Sequence, residues 1–286
     1  LEQGVVDEPD LWQTTRQLLA FYLRHTVLGS VTESYVAGME QLERSGATIQ
    51  HDCTLECLIK QVLKFRGGQL PVRWILPMRP RVLKAQQQDG SWFDPQDRMA
   101  QRGGRLYQTA MYALLLEDRT VFPPSIEHRS APRDALNWLD ESQHDDGGWS
   151  FAGDFSNPGT DPSRVKATSL AVLSFVSAGH THRRTGPWAY QNEVANGLRF
   201  LKSQFREHEG RMVSVEPQPD AASHAIATLL VSELYIMTRD PELKTLLTGM
   251  LKQLDRLPNE QSGGWPDVAG KPTLEHHIWP MLAPAS

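Results

Sequence analysis

Several short stretches of this chain bring chemically capable side chains together. His51, Asp52, Cys53 and Cys57 could hold a metal, because cysteines four apart share one helix face, although a fourth ligand would have to come from elsewhere. The alternative is two buried thiols, since free cysteine packs as a small apolar residue. Asp220 and His224 are also four apart, at the start of an apolar segment. The carboxylate there could orient the imidazole as a general acid or base, or Asp220 could cap the helix while His224 fills a polar niche in the core. Glu275, His276 and His277 are adjacent, so a helix sends them to different faces and at most one turns toward a common cavity. A two-histidine metal site would need a spacing of three or four. His144, Asp145 and Asp146, read alone, look like an acid–base cluster.

A different chemistry is suggested by Tyr107 and Gln108, and by Arg164 and Lys166, at the starts of two apolar segments. If those helix starts share one mouth, their amide dipoles favour an anion there, and the two cations add to the attraction. A phosphate, diphosphate or carboxylate head with an apolar tail would fit. The plainer alternative is that these side chains solvate the rim.

Helices must position these groups, because nearly every periodic segment has helical spacing and almost none alternates as a strand does. The spacing predicts helices over 11–27, 31–45, 53–65, 72–87, 107–116, 132–142, 165–178, 193–204, 221–237, 241–254 and 274–282. Pro132 and Pro241 suit first helical turns. An internal repeat organises them. "LKAQQQDGSW" ends at Trp92, "LNWLDESQHDDGGW" at Trp149 and "LKQLDRLPNEQSGGW" at Trp265. A degenerate copy, "LRFLKSQFREHEGRM", keeps Gln204 and Gly210 but has Arg211 and Met212 where the tryptophan would be. Each copy is an amphipathic helix, then Gln, a polar turn, Gly and an aromatic. In this setting Gln143 could bond the carbonyls ending its own helix. Gly147 and Gly148 free the backbone for a turn, and Trp149 folds back over the helix end. His144, Asp145 and Asp146 then become solvated turn residues. After each copy comes a second helix rich in small and apolar residues, and a helix apolar nearly all round is a buried one. The expected fold is all-α: an α/α toroid of buried inner helices and amphipathic outer ones. Residues 1–66 form an N-terminal helical extension and 67–286 the repeats of one domain. With about four hairpins visible, the ring is open or is completed by the N-terminal helices.

With 286 residues, 40% of them apolar, the chain can bury a sizeable core. Its 29 basic and 34 acidic residues are interspersed, so no basic stripe points to nucleic acid. Two cysteines on one helix face give no disulfide framework. No apolar run was expected to reach the length of a transmembrane helix. The chain begins at Leu1, so the compartment stays open, with a soluble, cytoplasmic setting the expectation.

The Gln–Gly–x–Trp copies resemble the QW repeats of the prenyltransferase and squalene oxidase repeat superfamily, which includes terpenoid cyclases and protein prenyltransferase β subunits. "TSLAVLSFVSAGHTH", "GLRFLKSQ", "SHAIATLLVSELYIMTRDPEL" and "GGWPDVAG" are similar to a bacterial branch of squalene-cyclase-like repeat proteins frequent in planctomycetes. The resemblance runs from about Val72 to the C-terminus. It implies a central cavity for an apolar, isoprenoid-type ligand and, for an enzyme, lyase, isomerase or transferase chemistry. Two departures weigh against the known reactions. Where the cyclases carry an Asp-x-Asp-Asp-Thr acid motif, this chain has "RVKATS", with Arg164, Lys166 and Ala167 replacing the acids. No Asp-x-Cys pair supports a prenyltransferase zinc, and the reading takes no metal and no cofactor. Two function classes therefore stand. One is a terpenoid-cyclase-like protein binding an isoprenoid, with Asp220 and His224 as its acid–base pair and Tyr107, Gln108, Arg164, Lys166, Glu275, His276 and His277 at the ligand. The other is a non-catalytic toroid that binds a protein or lipid partner.

Overall fold

The computed structural model describes residues 78–93, 98–117, 130–151, 164–184, 187, 189–216 and 221–256. All lie in one compact unit, Leu70–Ser286. The candidates His51, Asp52, Cys53, Cys57, Asp220, Glu275, His276 and His277 lie outside the described residues, as do the third repeat copy at Trp265 and the predicted helices over 11–65 and 274–282.

The described residues form α1 (Met78–Ala85), α2 (Arg98–Leu116), α3 (Ala131–Glu141), α4 (Arg164–Ser177) and α5 (Gln191–Ser203). A two-stranded sheet of β1 (Phe205–His208) and β2 (Arg211–Ser214) follows, then α6 (Ala221–Thr238) and α7 (Pro241–Leu254). The described residues are mostly α. The helices predicted over 132–142, 165–178, 193–204, 221–237 and 241–254 match to within a few residues; that over 72–87 is seen as Met78–Ala85, its first six residues lying outside the described ones, and that over 107–116 is part of α2. That helix begins earlier, at Arg98, but Gly104 (φ 59°, ψ −154°) breaks it, and the predicted segment is the part after the break.

Two kinds of helix alternate, for the reason visible in their sequences. On α3, Ala131, Ala135, Leu136, Trp138 and Leu139 are buried along one face, and on α7 Leu243, Leu246, Gly249, Met250 and Leu254 do the same. Asp240 caps α7 by accepting the Glu242 N–H at 3.0 Å, and Pro241 follows in the first turn. By contrast, α4 and α6 are buried on every face. They pack side by side, α2 packs on the other flank of α4, and α3, α5 and α7 lie against α2, α4 and α6 respectively. A fully buried leucine or phenylalanine in such a row contributes about 1.5–3 kcal/mol.

Several hydroxyls in this row bond carbonyls of their own helices. Ser169 donates to the Val165 carbonyl at 2.7 Å, Ser174 to Leu170 at 3.0 Å and Thr228 to His224 at 2.8 Å. Helix α6 is, by length and composition, apolar enough to cross a membrane (18 residues, mean hydropathy 1.3), which amends the expectation that no run reaches that length. Burial of 72% of that window inside the protein makes it a core helix, not a clear membrane span.

The β-hairpin corrects the all-helical expectation. Phe205 pairs with Ser214 and His208 with Arg211 in antiparallel register. Glu209 (φ 52°) and Gly210 (φ 72°) both take left-handed conformations at the tip, as a tight hairpin turn requires. This is the degenerate repeat copy. In the two described copies Gln and Gly are four residues apart, whereas Gln204 and Gly210 are six apart. The extra residues extend the turn into two short strands.

Candidate functional site

The two described repeat turns are the same structure at atomic detail. The Trp92 indole N–H donates to the Val82 carbonyl at 2.6 Å, and that of Trp149 to Leu139 at 2.7 Å. The tryptophan thus takes the helix-end carbonyl that the sequence reading gave to the glutamine. The glutamine reaches further. Gln86 Nε2 donates to the Gly90 and Ala131 carbonyls, both at 2.9 Å, and Gln143 Nε2 to those of Gly147 at 2.9 Å and Glu193 at 3.0 Å. Ala131 and Glu193 lie in the first turns of α3 and α5, so each glutamine joins its own turn to the next flanking helix. The backbone N–H of Trp92 bonds Thr109 Oγ1 at 3.0 Å, and that of Trp149 bonds Thr168 Oγ1 at 2.9 Å. The tryptophans are thereby pinned to α2 and α4.

Glycine is required by geometry in both turns. Gly90 (φ 87°) and Gly147 (φ 88°) are left-handed, and an added Cβ would lie 2.2 Å from the Asp134 carbonyl oxygen and 2.6 Å from that of Asn196.

One acid in each turn, Asp89 and Asp146, is engaged as well, while Asp145 is exposed. Asp146 Oδ1 accepts the Gly148 N–H at 2.9 Å, as Asp89 Oδ1 accepts that of Ser91 at 3.0 Å. Arg164 binds Asp146 through both oxygens at 2.6 and 2.7 Å, and Arg105 meets Asp89 at 3.0 Å. The Arg164 hydrogen bonds, helped by the Gly148 N–H, hold the Asp146 carboxyl below the usual carboxylate range against a smaller opposing effect of burial. His144 is buried in the turn.

The residues expected at a ligand have the following places. Arg164 lies over the Phe200 ring at 4.4 Å in addition to its pair with Asp146. Lys166 is half-buried, with its ammonium 5.6 Å from the centre of the Tyr107 ring. Tyr107 is buried and packs on Phe151 at 5.8 Å. Gln108 is buried beside it in α2. Sequence reasoning missed Glu216, whose Oε1 accepts the Val165 N–H at 2.9 Å in the first turn of α4. The helix start at which an external anion was expected therefore carries a carboxylate of the chain itself. No local signal announces a cap supplied 51 residues downstream.

His224 is nearly fully buried. Its Nε2–H donates to the Met250 carbonyl at 2.9 Å on α7, and Phe205 meets the ring edge-on at 5.5 Å. Burial pushes its pKa down, opposed by the Met250 bond, so the imidazole is held neutral between α6 and α7.

A second cluster, not anticipated, ties the α4–α5 connection to α7. Asp240 Oδ2 contacts His182 Nε2 at 3.0 Å and Arg183 Nη2 at 2.8 Å. Burial pushes the Asp240 carboxyl up, but His182, the Glu242 N–H and Arg183 together hold it below the usual range. Asp directly before Pro at a helix start was the legible part of this cluster; the histidine and arginine partners were not. Among the described residues, no three His, Cys, Asp or Glu side chains gather as a metal site would require. No protein-family model matches the chain, and no curated protein sequence matches it.

Proposed function

We propose that the chain is a non-catalytic α/α-toroid scaffold of QW-type repeats that presents its outer surface to a protein partner. The observation that carries this reading is the closure of the buried row. From Ala167 to Val176 on α4, and from Ala221 to Ser232 on α6, no residue keeps more than 6% of its surface exposed. These runs cover every face of each helix, which supports solid packing without a solvent-filled cavity along these stretches. Met111 of α2 is as deeply buried. Two of the described candidates support the same reading, since Arg164 is paired with Asp146 and His224 with the Met250 carbonyl.

The test is a titration of the full chain with a C15 isoprenoid alcohol, followed by denaturant unfolding. A ligand at a hundred times its Kd would raise stability by about 2.7 kcal/mol. The scaffold reading expects an unchanged unfolding midpoint, and a saturable rise in the midpoint overturns it in favour of an isoprenoid-binding protein.

A further inference from the structure

Each repeat turn joins one flanking helix to the next, and the joints differ in strength. From α1 to α3, Gln86 donates to the Ala131 carbonyl, and Gly90 lies against the backbone of Asp134. From α3 to α5, Gln143 donates to Glu193, and Gly147 lies against Asn196 in the same way. From α5 to α7 the arrangement changes. Gln204 donates its side-chain amide to the neighbouring Ser203 hydroxyl at 3.1 Å instead of to α7. Met212 stands where a tryptophan would be and has no side-chain N–H to offer a helix end.

What joins α5 itself to α7 is weaker in kind; the buried Asp240 at the start of α7 pairs with His182 and Arg183 in the α4–α5 connection and not with α5. Met212 of β2 rests on Gly249, where an added Cβ would come within 2.6 Å of its Cγ. Lys202 pairs with Glu242 at 2.9 Å, but the Glu242 side chain is 78% exposed, and exposed ion pairs contribute little. Arg211 reaches Gln253 at 3.3 Å.

The geometry points to this third joint as the place where the repeat stack opens first, with α7 and the β1–β2 hairpin leaving α5 together while α3 and α5 stay docked. Glycine in α7 and methionine in β2 make a more compliant contact, closest through the Met212 Cγ, with its backbone N further off. In the first two joints, a half-buried amide bond and a backbone-to-backbone approach make a fixed one. The inference concerns motion and holds whether the protein binds a polypeptide or an isoprenoid.

Amide hydrogen exchange of the full chain, read by mass spectrometry, tests it. Amides of residues 205–214 and of α7 are expected to exchange roughly tenfold faster than those of α3 and α5, because openings of separate units have separate free energies. Equal protection of α5 and α7, or exchange of all helices in a single event, overturns the proposal. A Gln143→Ala variant gives a second reading. It should speed exchange of α5 toward that of α7 and leave α7 unchanged, and a selective rise in α7 instead would also overturn it.

Discussion

Gly147 meets the strictest demand in the repeat turn, because both its backbone angle and the space beside it exclude a side chain. Gly147→Ala places a Cβ 2.6 Å from the Asn196 carbonyl oxygen at φ 88°. The left-handed backbone alone costs about 1–2 kcal/mol, and the clash is with main chain that cannot swing aside. The unfolding free energy should fall by more than that, read as a lower denaturant midpoint with an unchanged m-value. Trp149→Phe keeps most of the apolar body and removes the indole N–H, leaving the Leu139 carbonyl without its donor. A loss of about 1–3 kcal/mol is expected. His224 gives a pH signature. Its folded pKa lies below the ordinary histidine value of about 6.5, so the unfolded chain binds a proton first as pH falls. Its contribution is complete above about pH 6.5 and is lost as pH drops toward the folded value, at up to roughly 1.4 kcal/mol per pH unit. His224→Gln retains an amide donor for Met250 and should flatten that part of the wild-type stability–pH curve; an unaltered slope would assign it to other groups. The turn glutamines, glycines and tryptophans were legible because they repeat. Glu216 and the His182–Asp240 contact were not, because each joins residues more than fifty positions apart.

At the level of elements, two glycines on flanking helices separate rigid packing from compliant packing. A Cβ at Gly197 in α5 would meet Val172 Cγ2 at 2.5 Å and Trp149 Cζ3 at 3.0 Å, both in the buried row or the turn pinned to it. Gly197→Ala should therefore destabilise by about 1–3 kcal/mol through overpacking. A Cβ at Gly249 in α7 would meet Met212 Cγ at 2.6 Å, its backbone N at 3.2 Å and its Cβ at 3.5 Å. Met212 Cγ can shift by a change of rotamer whereas its backbone cannot, and the gain in helix propensity of about 1 kcal/mol offsets part of the displacement, so Gly249→Ala should cost less than Gly197→Ala. A thermal-unfolding comparison of the two variants reads the difference directly, and equal losses would remove the distinction between the joints. The amphipathic and buried helices were readable from apolar spacing alone. The hairpin was not, because its eight strand residues are too few to show an alternating pattern, and the Gln and Gly of the degenerate copy suggested another repeat turn.

At the scale of the molecule, the described helices are held by a buried row, and the repeat turns fasten the flanking helices to it. The sequence indicated that alternation through helices such as "VKATSLAVLSFVSAG" and "DAASHAIATLLVSELY", which are apolar on all sides. It could not indicate whether such helices enclose a cavity or pack solidly against their neighbours, since small residues serve both arrangements. Nor could it indicate that Arg164 would turn back to Asp146 instead of facing a ligand, because that depends on the length of the connection between α3 and α4. The central claim is that the buried row is closed to an apolar ligand. Native mass spectrometry of the full chain, purified without detergent from cells that make isoprenoids, tests it most directly. The account predicts the mass of the polypeptide, alone or with a polypeptide partner, and one isoprenoid retained per chain would contradict it.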